Sequence, residues 1–77
     1  MKFTDKELQK FEKLGKNIQK YREGKEITLK ELSEKTGIRK EYLQKIEKGI
    51  AYGVLIERHL FKIASALNIK VSDMFDI

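Results

Sequence analysis

Few residues in this chain are suited to covalent or metal chemistry. There is no cysteine and a single histidine, His59. Disulfides, thiolate metal sites and thiol nucleophiles are therefore excluded. His59 has no second ligand, nucleophile or partner base at a useful spacing, so it reads as a half-buried structural residue. The sequence calls for no enzyme activity, no metal and no cofactor. What remains is hydrogen-bond and charge chemistry, and it is concentrated in Arg39-Lys40-Glu41 and, one helical turn later, Gln44-Lys45. Lys and Arg present donors that suit guanine, Gln can pair bidentately with adenine, and Glu accepts from cytosine or repels other bases. On one face of a helix, these five side chains would form a surface able to read base edges in a major groove.

Such a surface works only if it is held rigidly, and the surrounding stretch from Thr28 to Gly49 supplies the means. Thr28-Leu29-Lys30-Glu31 is a capping-box signature that opens a helix running to about Lys35. Gly37 suits the left-handed conformation that ends a helix and starts a sharp corner. Ile38 plugs the core beneath it, and a helix from about Lys40 to Lys48 follows, closed by Gly49. That second helix buries Leu43, Ile46 and part of Tyr42, and leaves Lys40, Glu41, Gln44, Lys45 and Lys48 outside. Two short helices crossing at a corner, with cations at the front of the second, have the shape that enters a DNA major groove.

The rest of the chain reads as support. Thr4-Asp5-Lys6-Glu7 is another capping box, and Leu8, Phe11, Leu14, Ile18 and Tyr21 follow at helical spacing along one apolar stripe. Gly24 is the expected stop, and Gly15 within the helix marks a close packing contact. After the apolar connection from Ile50 to Ile56, a fourth helix is expected over about Glu57 to Leu67, stopped by Asn68, and a short fifth over Val71 to Phe75. The expected fold is therefore all-α, a compact five-helix single domain over 1–77.

The 17 Lys and Arg residues exceed the 12 Asp and Glu, for a formal charge of +5. Met1 to Glu26 holds eight basic and five acidic residues, Ile27 to Ile50 six and four, and Ala51 to Ile77 three and three. The positive excess thus lies in the first two thirds, where a polyanion would be met. No apolar run approaches the roughly 18 residues of a membrane span, and the first residues are polar and charged. The expected location is cytoplasmic, at the nucleoid, with no membrane partner and no small-molecule ligand evident.

The spacing of Ser33, Gly37, Leu43 and Ile46 carries a resemblance. Together with Arg22, the ending Ile46-Glu47-Lys48-Gly49, and the run from Lys62 to Leu67 followed by Ile69 and Val71, it makes the chain similar to the Cro and phage-repressor type of helix-turn-helix domain, also called lambda-repressor-like or XRE-family. The likeness covers about 14–75, with 4–13 as an N-terminal helix extension. It implies a five-helix fold with the motif in helices 2 and 3, and sequence-specific binding to duplex DNA as a small transcriptional regulator. A homodimer on a palindromic operator, acting as a repressor, is the expected form.

The residues, read beside the resemblance, suggest further roles. Arg22 and Glu47 are expected to form a structural ion pair locking the first helix to the third. Thr28 and Lys30, at the start of helix 2, and Lys48 with Gly49, at the end of helix 3, are expected to meet backbone phosphates, because free helix-start amides attract anions. Tyr52, Val54, Leu55, Ile56, Met74, Phe75 and Ile77 exceed what one small core needs and are expected to form the dimer interface, with core filling as the competing reading. Glu31 and Glu34 fit either an acidic patch facing polymerase or plain capping and solvation. Three features depart from the family pattern. Leu29 stands where many members have a phosphate-binding Gln, Arg39 where a Ser, Thr or Gly cap is usual, and the stretch from Gly49 to Ala64 is about two residues longer and lacks its proline. The alternative function is a protein-interaction module, antitoxin-like or an adaptor, using the apolar loop 50–56.

Overall fold

A computed structural model of the chain describes residues 4–51 and 56–75, excluding the side chains of 56 and 57. The described residues form five helices: α1 (Asp5–Gly24), α2 (Leu29–Thr36), α3 (Lys40–Glu47), α4 (Ile56–Leu67) and α5 (Val71–Phe75). The all-α, five-helix reading is borne out.

Both expected capping boxes form. At α1 the Glu7 amide donates to Thr4 Oγ1 at 3.2 Å and the Thr4 amide donates to Glu7 Oε1 at 2.9 Å. At α2 the Glu31 amide donates to Thr28 Oγ1, and the Thr28 amide to Glu31 Oε1, both at 3.0 Å. Each box satisfies donors that a helix start would otherwise leave unpaired.

α1 ends at Gly24, as expected, but the left-handed residue is not the glycine; it is Glu26, at φ 58°. The reason lies in the hydrogen bonds after it, where Ile27 N donates to Arg22 O and Glu26 N to Glu23 O, both at 3.0 Å. That pair of bonds fixes the turn two residues beyond the glycine. Asn68, at φ 56°, closes α4 in the same way, with Ile69 N donating to Ala64 O at 3.0 Å.

The core is assembled from all five helices. Leu14 and Ile18 of α1, Leu32 of α2, Leu43 and Ile46 of α3, Leu60, Ile63, Ala64 and Leu67 of α4, and Met74 of α5 are buried, with Ile38 and Ala51 between them. α1 lies against α3 and α5, α2 against α3 and α4, and α4 against α5. The side chain of Asn17 donates to Met74 O at 2.8 Å and ties the short α5 back to α1. Met74 is completely buried. Its assignment to a dimer interface is therefore corrected, since the competing core reading consumes its whole surface. Leu29 is partly buried against this core, so the apolar residue at the first position of α2 serves packing.

Candidate nucleic-acid interface

α3 divides cleanly into two faces. Leu43, Ile46 and Glu47 are buried, whereas Lys40, Glu41, Gln44, Lys45 and, at its C-cap, Lys48 are exposed, as is Arg39 before it. Lys40 and Gln44 are four residues apart, as are Glu41 and Lys45, so two rows of polar side chains run along about 12 Å of helix. Arg39 is the N-cap and makes no side-chain cap hydrogen bond. Its guanidinium takes no part in closing the helix start.

The position of this helix is set from α1. Arg22 and Glu47, both buried, meet with Nε donating to Oε2 at 2.7 Å and Nη2 donating to Oε1 at 3.2 Å. Arg22 Nη1 also donates to Ile27 O at 2.8 Å, so one side chain pins both the end of α1 and the end of α3. The Glu47 hydrogen bonds hold the Arg22 guanidinium above its ordinary range, against the opposing effect of burial. A Cβ at Gly15 would fall onto the carbonyl oxygens of Ile46 and Glu47. The packing contact expected of Gly15 is thus a backbone-to-backbone approach of α1 to the last turn of α3.

The corner between α2 and α3 is built by two hydroxyls. Ser33 Oγ donates to Ile38 O, and Thr36 Oγ1 donates to Leu32 O at 2.8 Å while accepting from Ile38 N at 3.1 Å. Gly37, at φ 74°, makes the left-handed turn between them, and its amide donates to Ser33 O at 2.8 Å. The sequence singles out Ser33 and Gly37 and places Thr36 in the tight turn Thr36-Gly37-Ile38, but it gives the Thr36 hydroxyl no role. A Thr immediately before the corner glycine is the local signal that could have found it.

A helix-turn-helix family model matches residues 18–74 of the chain. The chain belongs to that helix-turn-helix family. It is 35% identical over 63 residues to the HTH-type transcriptional regulator SinR of Bacillus subtilis (strain 168), covering 82% of this chain and 56% of that protein. It is 30% identical over 63 residues to the HTH-type transcriptional regulator SlrR of the same organism, covering 82% of this chain and 41% of that one. The chain thus spans about half the length of these curated relatives. Among solved structures, the restriction-modification controller protein C.AhdI from Aeromonas hydrophila superposes with a TM-score of 0.76 at 25% identity, covering 84% of this chain and 96% of that one. An HTH_3 family transcriptional regulator from Vibrio cholerae gives a TM-score of 0.79 at 25% identity, covering 90% of this chain and 38% of that one. The resemblance drawn from Ser33, Gly37, Leu43 and Ile46 is borne out at the level of family and fold.

Within this helix-turn-helix, the flanks of α3 are less open to an anion than the sequence suggested. The Thr28 amide and hydroxyl are both engaged by Glu31. Among the described residues only the amides of Leu29 and Lys30 remain unpaired at that helix start. The bonds from Thr28 hold the Glu31 carboxyl below the usual carboxylate range, so it is negative beside them. At the other end, the expected Gly49 contact is corrected. Gly49 is buried, its amide donates to Ile46 O at 3.0 Å, and a Cβ there would strike Glu12 of α1. Its left-handed φ of 77° ends the helix, and no donor is left for a phosphate. The exposed Lys30 and Lys48 side chains remain on either side.

Of the apolar residues assigned to a dimer interface, Tyr52, Val54, Leu55 and Ile77 lie outside the described residues, as does the side chain of Ile56. Phe75 is 52% exposed, and Phe61, which sequence reasoning did not single out, is 68% exposed. The two phenylalanines border one shallow depression with Leu60 and Val71. His59 is half-buried, and its ring meets that of Tyr42 edge-on, with centroids 4.9 Å apart and planes at 71°. Its Nδ1 is buried without a hydrogen-bond partner among the described residues. Burial, reinforced by the charge of Lys62, holds the imidazole below its ordinary pKa. No group of three metal-binding side chains occurs among the described residues, and no described helix is long and apolar enough to cross a membrane.

Proposed function

We infer that this domain binds duplex DNA sequence-specifically and regulates transcription, with α3 in the major groove. The observation that carries this reading is the exposed double row Lys40/Gln44 and Glu41/Lys45 on a helix whose other face is locked by the Arg22–Glu47 pair. A reading helix must be stiff, because discrimination between bases rests on hydrogen-bond geometry. Arg39, Lys40, Glu41, Gln44 and Lys45 are the reading residues; Lys48, Lys30 and the Leu29 and Lys30 amides are the phosphate contacts.

A single small module covers one half-site, so affinity is gained by pairing two copies with their reading helices about 34 Å apart on a palindromic operator. The exposed Phe61 and Phe75 are the surface for the second copy. They lie in the third of the chain whose three basic and three acidic residues balance, so two copies can approach there without the repulsion that the basic remainder would impose. Repression is the output, since Glu31, one of two acids available to a polymerase contact, is consumed in the α2 capping box. This reading makes the protein cytoplasmic and nucleoid-bound, with the whole domain, including the first turns of α1, acting as one unit.

Selection of bound duplexes from a random pool tests the proposal directly. Palindromic enriched sites and an affinity that falls steeply with salt are the expected result, because phosphate contacts release counterions. Failure to enrich any duplex, with salt-insensitive capture of a protein partner instead, would overturn it in favour of an interaction module.

A further inference from the structure

Beside the start of α3 lies an open cleft of about 360 Å³, lined by Gly37, Ile38, Arg39, Tyr42, His59 and Lys62. Its size falls within the range of small-ligand sites. The walls are Ile38 and the two rings of Tyr42 and His59, set edge-on at 4.9 Å. Burial and the neighbouring ammonium of Lys62 keep the His59 imidazole neutral near pH 7, so it acts as an aromatic wall and adds no third cation. The two cations that line the cleft, Arg39 and Lys62, make no ion pair among the described residues. The His59 Nδ1, lacking a partner there, has no hydrogen bond to lose if the ring turns toward a ligand.

We propose that this cleft binds a small aromatic carboxylate, its ring between Ile38, Tyr42 and His59 and its carboxylate between Arg39 and Lys62. The charge complementarity is specific: two uncompensated cations beside an apolar, aromatic interior suit an anion carried on a planar apolar body. A DNA phosphate would satisfy the cations but leave the apolar walls unfilled. Because Arg39 is also the first reading residue of α3, a bound carboxylate draws its guanidinium away from the duplex. The ligand is thus an effector that lowers DNA affinity, and this coupling rests on the DNA-binding reading above, whereas ligand occupancy does not.

The test is titration of the isotopically labelled full chain with salicylate, followed by NMR in the absence of DNA. Acetate supplies the charge without the ring, and benzyl alcohol the ring without the charge. Saturable shifts confined to the Gly37 amide and the Tyr42 and His59 rings are expected with salicylate, and none with either control in the same range. Lys62→Gln, an exposed substitution that leaves the core intact, should weaken salicylate about tenfold through loss of a charge-assisted contact. Saturating salicylate should also reduce DNA affinity, measured by fluorescence anisotropy. Absence of saturable shifts, or equal binding by the Lys62→Gln chain, overturns the site. Loss of DNA affinity in Lys62→Gln as large as that in Lys48→Ala assigns the cleft to the duplex footprint and overturns it as well. Saturable binding with unchanged DNA affinity overturns the effector role, and saturable binding by a chain that binds no DNA leaves the site standing while the DNA-binding reading falls.

Discussion

Arg22 in α1 and Glu47 in α3, 25 residues apart, share two hydrogen bonds, the shorter of 2.7 Å, with both side chains about nine-tenths buried. The pair orients α3 more than it stabilises the fold, because desolvating two charges offsets much of their attraction.

Removing one partner should therefore be far worse than removing both. Glu47→Ala leaves a buried guanidinium uncompensated and should cost about 3–5 kcal/mol in urea unfolding. The double replacement Arg22→Met with Glu47→Leu should recover most of that loss, since well-packed apolar residues commonly match a buried ion pair in stability. Its DNA affinity should stay depressed, because α3 has lost its fixed orientation. A double variant no more stable than Glu47→Ala would show the pair to be a net source of stability.

Gly15 supplies the second constraint on the same joint. Its would-be Cβ meets backbone oxygens of Ile46 and Glu47, which cannot swing aside as a long side chain can. In an exposed helix interior Gly→Ala stabilises; here Gly15→Ala should destabilise by about 1–3 kcal/mol, as overpacking does. Thermal unfolding of Gly15→Ala beside Gly24→Ala, where nothing lies within 4 Å, checks the sign. Loss at both positions would point to the backbone and not to the joint.

Much of this joint was legible in the sequence only through family likeness. Capping boxes at Thr4/Glu7 and Thr28/Glu31 could be read from the residues because the partners lie three positions apart. The corner at Gly37 was also legible, since the glycine itself carries the conformational demand. Arg22 with Glu47 could not be paired by local pattern, and neither could Asn17 with Met74 O, across 57 positions. Met74 and Phe75 show the same limit at short range. In a helix of five residues, periodicity does not say which of two adjacent apolar side chains faces inward, and packing against α1 and α4 decides it. Gly49 is legible as a helix stop, but the hydrogen bond its amide makes to Ile46 O is a consequence of that stop and leaves the amide no donor to offer.

The residues proposed to read bases and those proposed to meet phosphates should separate by specificity. Gln44→Ala and Lys40→Ala should each cost about 1–3 kcal/mol on the preferred site and relax the choice of base at one position. Lys48→Ala should weaken all duplexes alike and reduce the salt slope by about one. Competition binding against single-base operator variants, repeated at several salt concentrations, distinguishes the two. A uniform loss across sequences in all three variants would mean that the exposed rows of α3 touch only backbone.

The His59–Tyr42 contact makes stability depend on pH in a predictable direction. The folded-state imidazole lies below its ordinary 6.5, chiefly through burial and secondarily through Lys62. The unfolded chain therefore takes up its proton first as pH falls, and unfolding becomes more favourable. The contribution of His59 is fully present above the unfolded value and is lost as pH drops through 6.5 toward the lower folded value. Glu7 and Glu31, both held below their ordinary 4.5, contribute stability of the same sign in a separate, more acidic window. Urea midpoints should accordingly fall between pH 7.5 and 5.5 in the natural chain and stay flat over that range in His59→Phe, which keeps an aromatic ring against Tyr42 but cannot titrate. An unchanged slope in His59→Phe would assign the dependence to another group.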